Sequence, residues 1–191
     1  SPDGQWIAFS SDRGEKWVGA ESGAGAGHSH PTSLYVMKAD GSGLRRVTNK
    51  PGMAYGTPKW SADGKKLVAY TLSVRDTFAA RMHGAGIASL NSTSQIVEIN
   101  VATGEEKAIT TGPALKTNPQ YLPDGRIGYV IKAAGRDGPK VGIVYSDGSR
   151  GPEGEVRSPS WSPDGKTVVF YRIDVTNRAQ NTQLYSWDSK R

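Results

Sequence analysis

The chain of 191 residues contains no cysteine, which removes disulfides, thiolate-held zinc and thiol nucleophiles, and leaves the compartment undecided. Histidine, phenylalanine and methionine are scarce, with three of each. No apolar run approaches the ~18 residues of a membrane span, so no membrane-spanning segment is expected. No secretory leader is visible, and Ser1 already lies inside a repeated unit, so the natural chain is expected to begin upstream. Catalytic signatures are missing as well. There is no G-x-S-x-G elbow and no H-E-x-x-H pair, and Asp164-Gly165-Lys166-Thr167 carries only the tail of a phosphate-binding loop. Gly23 to Gly27 imitate a dinucleotide loop without the strand and helix that such a loop joins. Asn91-Ser92-Thr93 matches a glycosylation sequon, which matters only in a eukaryotic secretory setting. The net charge of +6 comes from 24 basic and 18 acidic residues scattered along the chain. Without a basic stripe, the charge reads as solubility, and no nucleic-acid partner is expected.

Glycine and turn-forming residues, in contrast, are abundant, with 24 glycines and 11 prolines. Ser1-Pro2-Asp3-Gly4 returns as Ser61-Ala62-Asp63-Gly64, Leu122-Pro123-Asp124-Gly125 and Ser162-Pro163-Asp164-Gly165. Each is a β-turn in which the second residue, Pro in three of the four, sets the bend, the Ser or Asp side chain bonds the backbone and Gly closes it. Each runs into a β-branched and aromatic stretch of strand length, as in Trp6-Ile7-Ala8-Phe9 and Thr167-Val168-Val169-Phe170-Tyr171. The turn aspartates stand at 3, 63, 124 and 164, hence 60, 61 and 40 residues apart. The last spacing fits the ~40–45 residues of a four-stranded propeller blade, and the first two add about 20 residues each. The excess lies between the second and third strands of its blade. A β-sandwich also has short strands at regular spacing, yet it does not demand the same turn at the same point of every cycle.

The expected fold is therefore an all-β propeller of four-stranded antiparallel blades, seen as an incomplete arc of about three to four. The divisions are a partial blade over 1–49, blades over 57–111 and 117–157, and a partial blade over 158–191. The strands number three, four, four and three. The inner strands are expected to begin at Thr57-Pro58, Asn118-Pro119 and Ser158-Pro159. A propeller closes with about four to eight blades, so missing blades or another chain would complete the ring.

Ser1 to Arg13, followed by Leu34 to Gly43 and Leu44 to Thr48, resembles the TolB-type propeller repeat, as do Pro58 to Gly64 and Pro159 to Gly165. The resemblance covers most of the chain and implies an exported bacterial protein, periplasmic or secreted. It does not select a function, since such repeats occur in the periplasmic TolB component, in peptidases and amidohydrolases, and in polysaccharide-degrading enzymes.

In a blade, the loops between second and third strands leave on the face opposite the Asp-Gly turns. Two long connections, 12–33 and 73–94, gather there and hold every histidine. Loops of that length in a compact domain are usually functional or disordered. His28 and His30 stand on one side of an extended segment, and His83 would join them from the next blade as ligands of a divalent metal ion, with Asp76 as a carboxylate. The flanking glycines equally suit two exposed histidines without a metal. Arg75, Asp76, Arg81, Arg136, Asp137, Asp174 and Arg178 would form a polar rim for a polar or anionic ligand, or a solvated surface of local ion pairs. Trp17, inside the first connection, is a candidate ligand contact. Trp60, Tyr121 and Trp161 recur before the turn and read as packing between blades, each burying ~150–250 Å², rather than as a carbohydrate platform.

Two function classes follow. One is a non-catalytic TolB-like module that binds a protein or glycan, or scaffolds one, in the bacterial envelope through the insertion face. The other is a metal-assisted hydrolase or lyase acting on an exported polar substrate. A propeller that gates substrate to a catalytic domain elsewhere is a third. With no catalytic motif in view, the first leads.

Overall fold

The computed structural model describes residues 1–15, 31–76, 93–134, 138–174 and 181–189. These form four antiparallel sheets in sequence order: β1 (Trp6–Ser11), β2 (Ser33–Lys38) and β3 (Arg45–Arg46); β4 (Met53–Trp60), β5 (Lys66–Ser73), β6 (Gln95–Asn100) and β7 (Glu106–Ala108); β8 (Leu115–Tyr121), β9 (Ile127–Ala133), β10 (Gly142–Tyr145) and β11 (Arg150–Glu153); β12 (Arg157–Trp161), β13 (Thr167–Asp174) and β14 (Asn181–Asp188). Within every sheet, neighbours in sequence are neighbours in space, the meander of a propeller blade. The first strands of successive blades lie side by side, β4 against β8 and β8 against β12.

The Asp-Gly turns close as their residues require. Gly64 N donates to Ser61 O at 3.0 Å with Gly64 at φ +67°, the left-handed region that favours glycine. Ser61 Oγ donates to Asp63 Oδ1 at 2.6 Å and accepts from Lys66 N at 2.9 Å, and Ser162 repeats both bonds. The third turn has Leu122 in place of serine. That turn reaches its strand one residue sooner, with Tyr121 pairing Ile127 where Trp60 pairs Leu67. Ser146 Oγ accepts from Ile127 N at 3.0 Å, and the Arg126 side chain donates to Asp124.

Strand alternation sends successive side chains to opposite neighbours. Leu67 and Ala69 of β5 enter the core shared with the first blade, beside Leu34, Val36 and Tyr55. Val68 enters the core shared with the third blade, beside Ile127 and Val144. A third core joins the last two blades around Val130, Tyr145, Trp161 and Phe170. Trp60, Tyr121 and Trp161 all take part in these junctions, which is the packing role their periodicity suggested. Ile7 on the first sheet and Val169 and Leu184 on the last remain exposed. Among the described residues the sheets form an open arc.

One expectation is corrected. The inner strands begin before the X-Pro pairs, at Met53, Leu115 and Arg157. Each passes through an irregularity in register, between Gly56 and Lys59, Thr117 and Gln120, and Arg157 and Ser160. Proline has no N–H for a ladder, and the bulge absorbs that loss without ending the strand.

Candidate functional site

The three bulges lie at equivalent points of the inner strands and share one backbone feature. Thr57, Asn118 and Ser158, each preceding proline, have φ of 51°, 55° and 44°. Proline discourages the right-handed helical region for the residue before it, and left-handed backbone is costly for residues other than glycine. The surrounding sheets hold the strained conformation. Together with Pro58, Lys59, Pro119, Gln120 and Pro159, these residues line a hollow of about 280 Å³ on the inner wall of the arc. Thr57, Lys59, Asn118, Gln120 and Ser158 line the hollow, and their side chains make no hydrogen bond within the described residues.

The wall continues toward the insertion face. Asn118 and Ser158 also border a second hollow of about 210 Å³, with Lys132, Arg157 and Tyr171. Arg157 Nε donates to Glu155 Oε1 at 2.6 Å, whereas Lys132 is exposed and has no ion pair among the described residues. The wall is polar with a cationic surplus from Lys59 and Lys132.

The bases of the two long connections are tied down. Glu15 pairs with Arg46 and accepts from Ser33 Oγ at 2.9 Å, and Tyr35 Oη donates to the Arg13 carbonyl at 2.7 Å. At the second connection, Lys116 is buried. Its Nζ donates to the carbonyls of Gly112 (2.9 Å) and Pro113 (3.0 Å) and to Gln95 Oε1 (3.2 Å). Burial lowers its pKa from the ordinary lysine value, and the neutral acceptors mark it as a clasp rather than half of an ion pair.

Of the residues proposed from sequence, Arg75 and Asp76 are placed. They follow β5 in a short helical turn, exposed on the insertion face, while the adjoining Val74 is buried and donates its N–H to Gly52 O at 2.9 Å. Trp17, His28, His30, Arg81, His83, Arg136, Asp137 and Arg178 lie outside the described residues. Among the described residues no three metal-ligating side chains converge, and no helix is long and apolar enough to cross a membrane. Sequence reading passed over Lys59, Asn118, Gln120, Lys132 and Arg157. Its available signal was the X-Pro pair recurring two or three residues before each aromatic residue.

No protein-family model matches the chain. A TolB structure from Agrobacterium tumefaciens superposes with a TM-score of 0.65 at 22% identity, covering 99% of this chain and 59% of that one. The fold is that of a TolB-like β-propeller. TolB from Acinetobacter baumannii gives a TM-score of 0.60 at 17% identity, over 99% of this chain and 39% of that one. In sequence, the chain is 27% identical over 149 residues to the uncharacterized peptidase YuxL of Bacillus subtilis, covering 66% of this chain and 20% of the relative. The chain thus spans about a fifth of the curated relative it matches.

Proposed function

We propose that this TolB-like propeller segment is a non-catalytic binding module of the bacterial envelope, periplasmic or secreted, that receives an acidic segment of a partner protein. The segment would lie along the inner wall and the insertion face. One observation carries the reading: three equivalent bulges present Thr57, Asn118 and Ser158 beside Lys59 and Gln120, all unpaired within the described residues. Polar side chains set at regular intervals on rigid strands suit an extended chain, and the unpaired lysines suit carboxylates. A glycan with acid groups would meet the same chemistry and is the competing outcome. Fluorescence anisotropy with a labelled Glu-rich peptide tests the reading. Saturable, salt-sensitive binding is expected, with loss in a Lys59→Glu, Lys132→Glu variant. Binding that ignores the charge reversal, or no binding, sinks it.

The peptidase name of the YuxL relative favours a second reading. In it, the propeller accompanies a hydrolytic domain and admits its substrate. The metal-assisted form of an enzyme, with His28, His30 and His83 holding the ion and Asp76 or an arginine handling proton transfer or charge, is a separate proposal. Elemental analysis of the purified chain beside His28→Ala and His83→Ala tests it. Stoichiometric metal lost in both variants is expected, and metal content indifferent to both changes ends it.

A further inference from the structure

The three junctions between blades can be aligned residue by residue through their registers. Val36, Glu98 and Tyr145 are equivalent, because they pair with Ala8, Val68 and Gly128. Trp60, Tyr121 and Trp161 end the inner strand that faces them. Trp6 corresponds to Lys66, since they pair with Lys38 and Asn100 at matching points.

Two of these junctions are filled. Between the second and third blades, Tyr121 Oη donates to Glu98 Oε2 at 3.0 Å, and Lys66 Nζ meets Glu98 Oε1 at 2.8 Å. Between the third and fourth, the buried Trp161 ring lies edge-on to Tyr145 with centroids 6.5 Å apart. Arg126 covers the Tyr145 ring at 4.7 Å.

The first junction has a buried core of its own, but its turn-face end is open. Val36 brings no polar group, and Trp6 and Trp60 make no ring pair with each other among the described residues. Both indoles stay half-buried on a cavity of about 360 Å³, with Val101 and Ala102 as aliphatic wall and Arg45 and Lys65 at its edge. Arg45 Nη1 donates to the Val101 carbonyl at 2.7 Å. That bond positions the guanidinium and leaves its other N–H groups unpaired among the described residues. No carboxylate lines the cavity. Asp63, two residues from Lys65, is engaged in its own turn, accepting from Ser61 Oγ and Lys65 N.

We propose that this cavity is a second ligand site, on the turn face, for a group that joins a flat or branched apolar body to a carboxylate. The indoles and aliphatic wall suit the apolar body, and the positioned guanidinium and exposed ammonium suit the acid. At the small end of the ~300–1,000 Å³ range of ligand pockets, it holds one ring rather than an oligomer. The same chemistry is offered by the C-terminal aromatic residue of a partner chain and by a free aryl carboxylate. This site stands independently of the inner wall, which lies on other residues.

Tryptophan fluorescence of the 191-residue chain provides the test. The probes are N-acetylphenylalanine, a short peptide ending in phenylalanine, and the amide of each. Saturable changes are expected with the acids, at a dissociation constant on the order of 1 mM for the single residue. Amidation, and separately Arg45→Gln, should weaken binding about tenfold or more, as loss of a charge-assisted hydrogen bond does. Lys65→Gln, an exposed turn position, gives a second variant should Arg45→Gln fail to fold. A peptide that binds tighter than the single residue assigns the site to a chain end, and equal binding assigns it to a small acid. Absence of saturable binding by either acid overturns the proposal. So does binding that is indifferent to amidation or survives both substitutions unchanged.

Discussion

The second and third junctions solve one packing problem with opposite chemistry. In the second, a half-buried carboxylate at Glu98 is shared by a phenol and an ammonium. In the third, the equivalent position is Tyr145 and the junction is aromatic, with Gly128 clearing the space that the Trp161 ring occupies. The difference teaches that a repeated backbone constrains the volume to be filled and leaves the filling free. It also explains a glycine. Gly128 stands where β5 has Val68, and a Cβ there would come within 2.6 Å of the Trp161 ring.

That comparison can be broken most severely at its largest side chain. Trp161→Ala should cost about 3–5 kcal/mol, the range for a buried aromatic residue cut to alanine. Urea unfolding followed by far-UV circular dichroism checks it. Trp60→Ala, removing an indole that is only half-buried, should cost clearly less; equal losses would remove the distinction between a filled and an open junction. Gly128→Ala should cost about 1–3 kcal/mol by overpacking against Trp161, measured in the same way. Glu98→Ala leaves the Tyr121 hydroxyl without its acceptor and should cost about 1–2 kcal/mol. The Lys66 partner adds little to that figure, because its side chain is 45% exposed. Combining Glu98→Ala with Tyr121→Phe should then cost less than the two changes added together.

The smallest expected effect concerns pH. The hydrogen bond from Ser61 holds the Asp63 carboxyl below its usual range, Ser162 does the same for Asp164, and Arg126 does so for Asp124. A depressed folded pKa contributes stability that is present above the unfolded value, ~3.9, and is lost as pH falls through the folded one. The melting temperature should therefore drop below about pH 4, and less so in an Asp63→Asn, Asp164→Asn variant. A slope unchanged by that variant would show that the turns carry none of it. At the alkaline end, burial and then the Glu98 charge raise the Tyr121 phenol. That contribution is present below the ordinary tyrosine pKa and fades as pH rises past it.

Much of the fold could be read from local chemistry. The Asp-Gly turn is specified by adjacent residues, Ser61, Asp63 and Gly64 bonding within one tight loop. The strands after it declare themselves through β-branched and aromatic residues. The inner strands start earlier than the sequence suggests, because an X-Pro pair reads locally as a strand boundary. Only the pairing of Met53 with Ser73 and Tyr55 with Thr71 carries the strand past it. The candidate site was less legible still. Lys59 and Lys132 are ordinary surface lysines in sequence, and the inner wall exists because three strands from different blades lie side by side.

By itself the sequence determined the period, the turn and the side of each strand that is apolar, since all three depend on contacts between residues a few positions apart. The tertiary structure decided which equivalent junctions close and which stay open. That outcome rests on pairs distant in the chain, such as Arg45 with Val101 and Trp161 with Gly128. Such pairs meet only when twisted sheets stack, and the fit of their volumes and charges is not written in either segment alone.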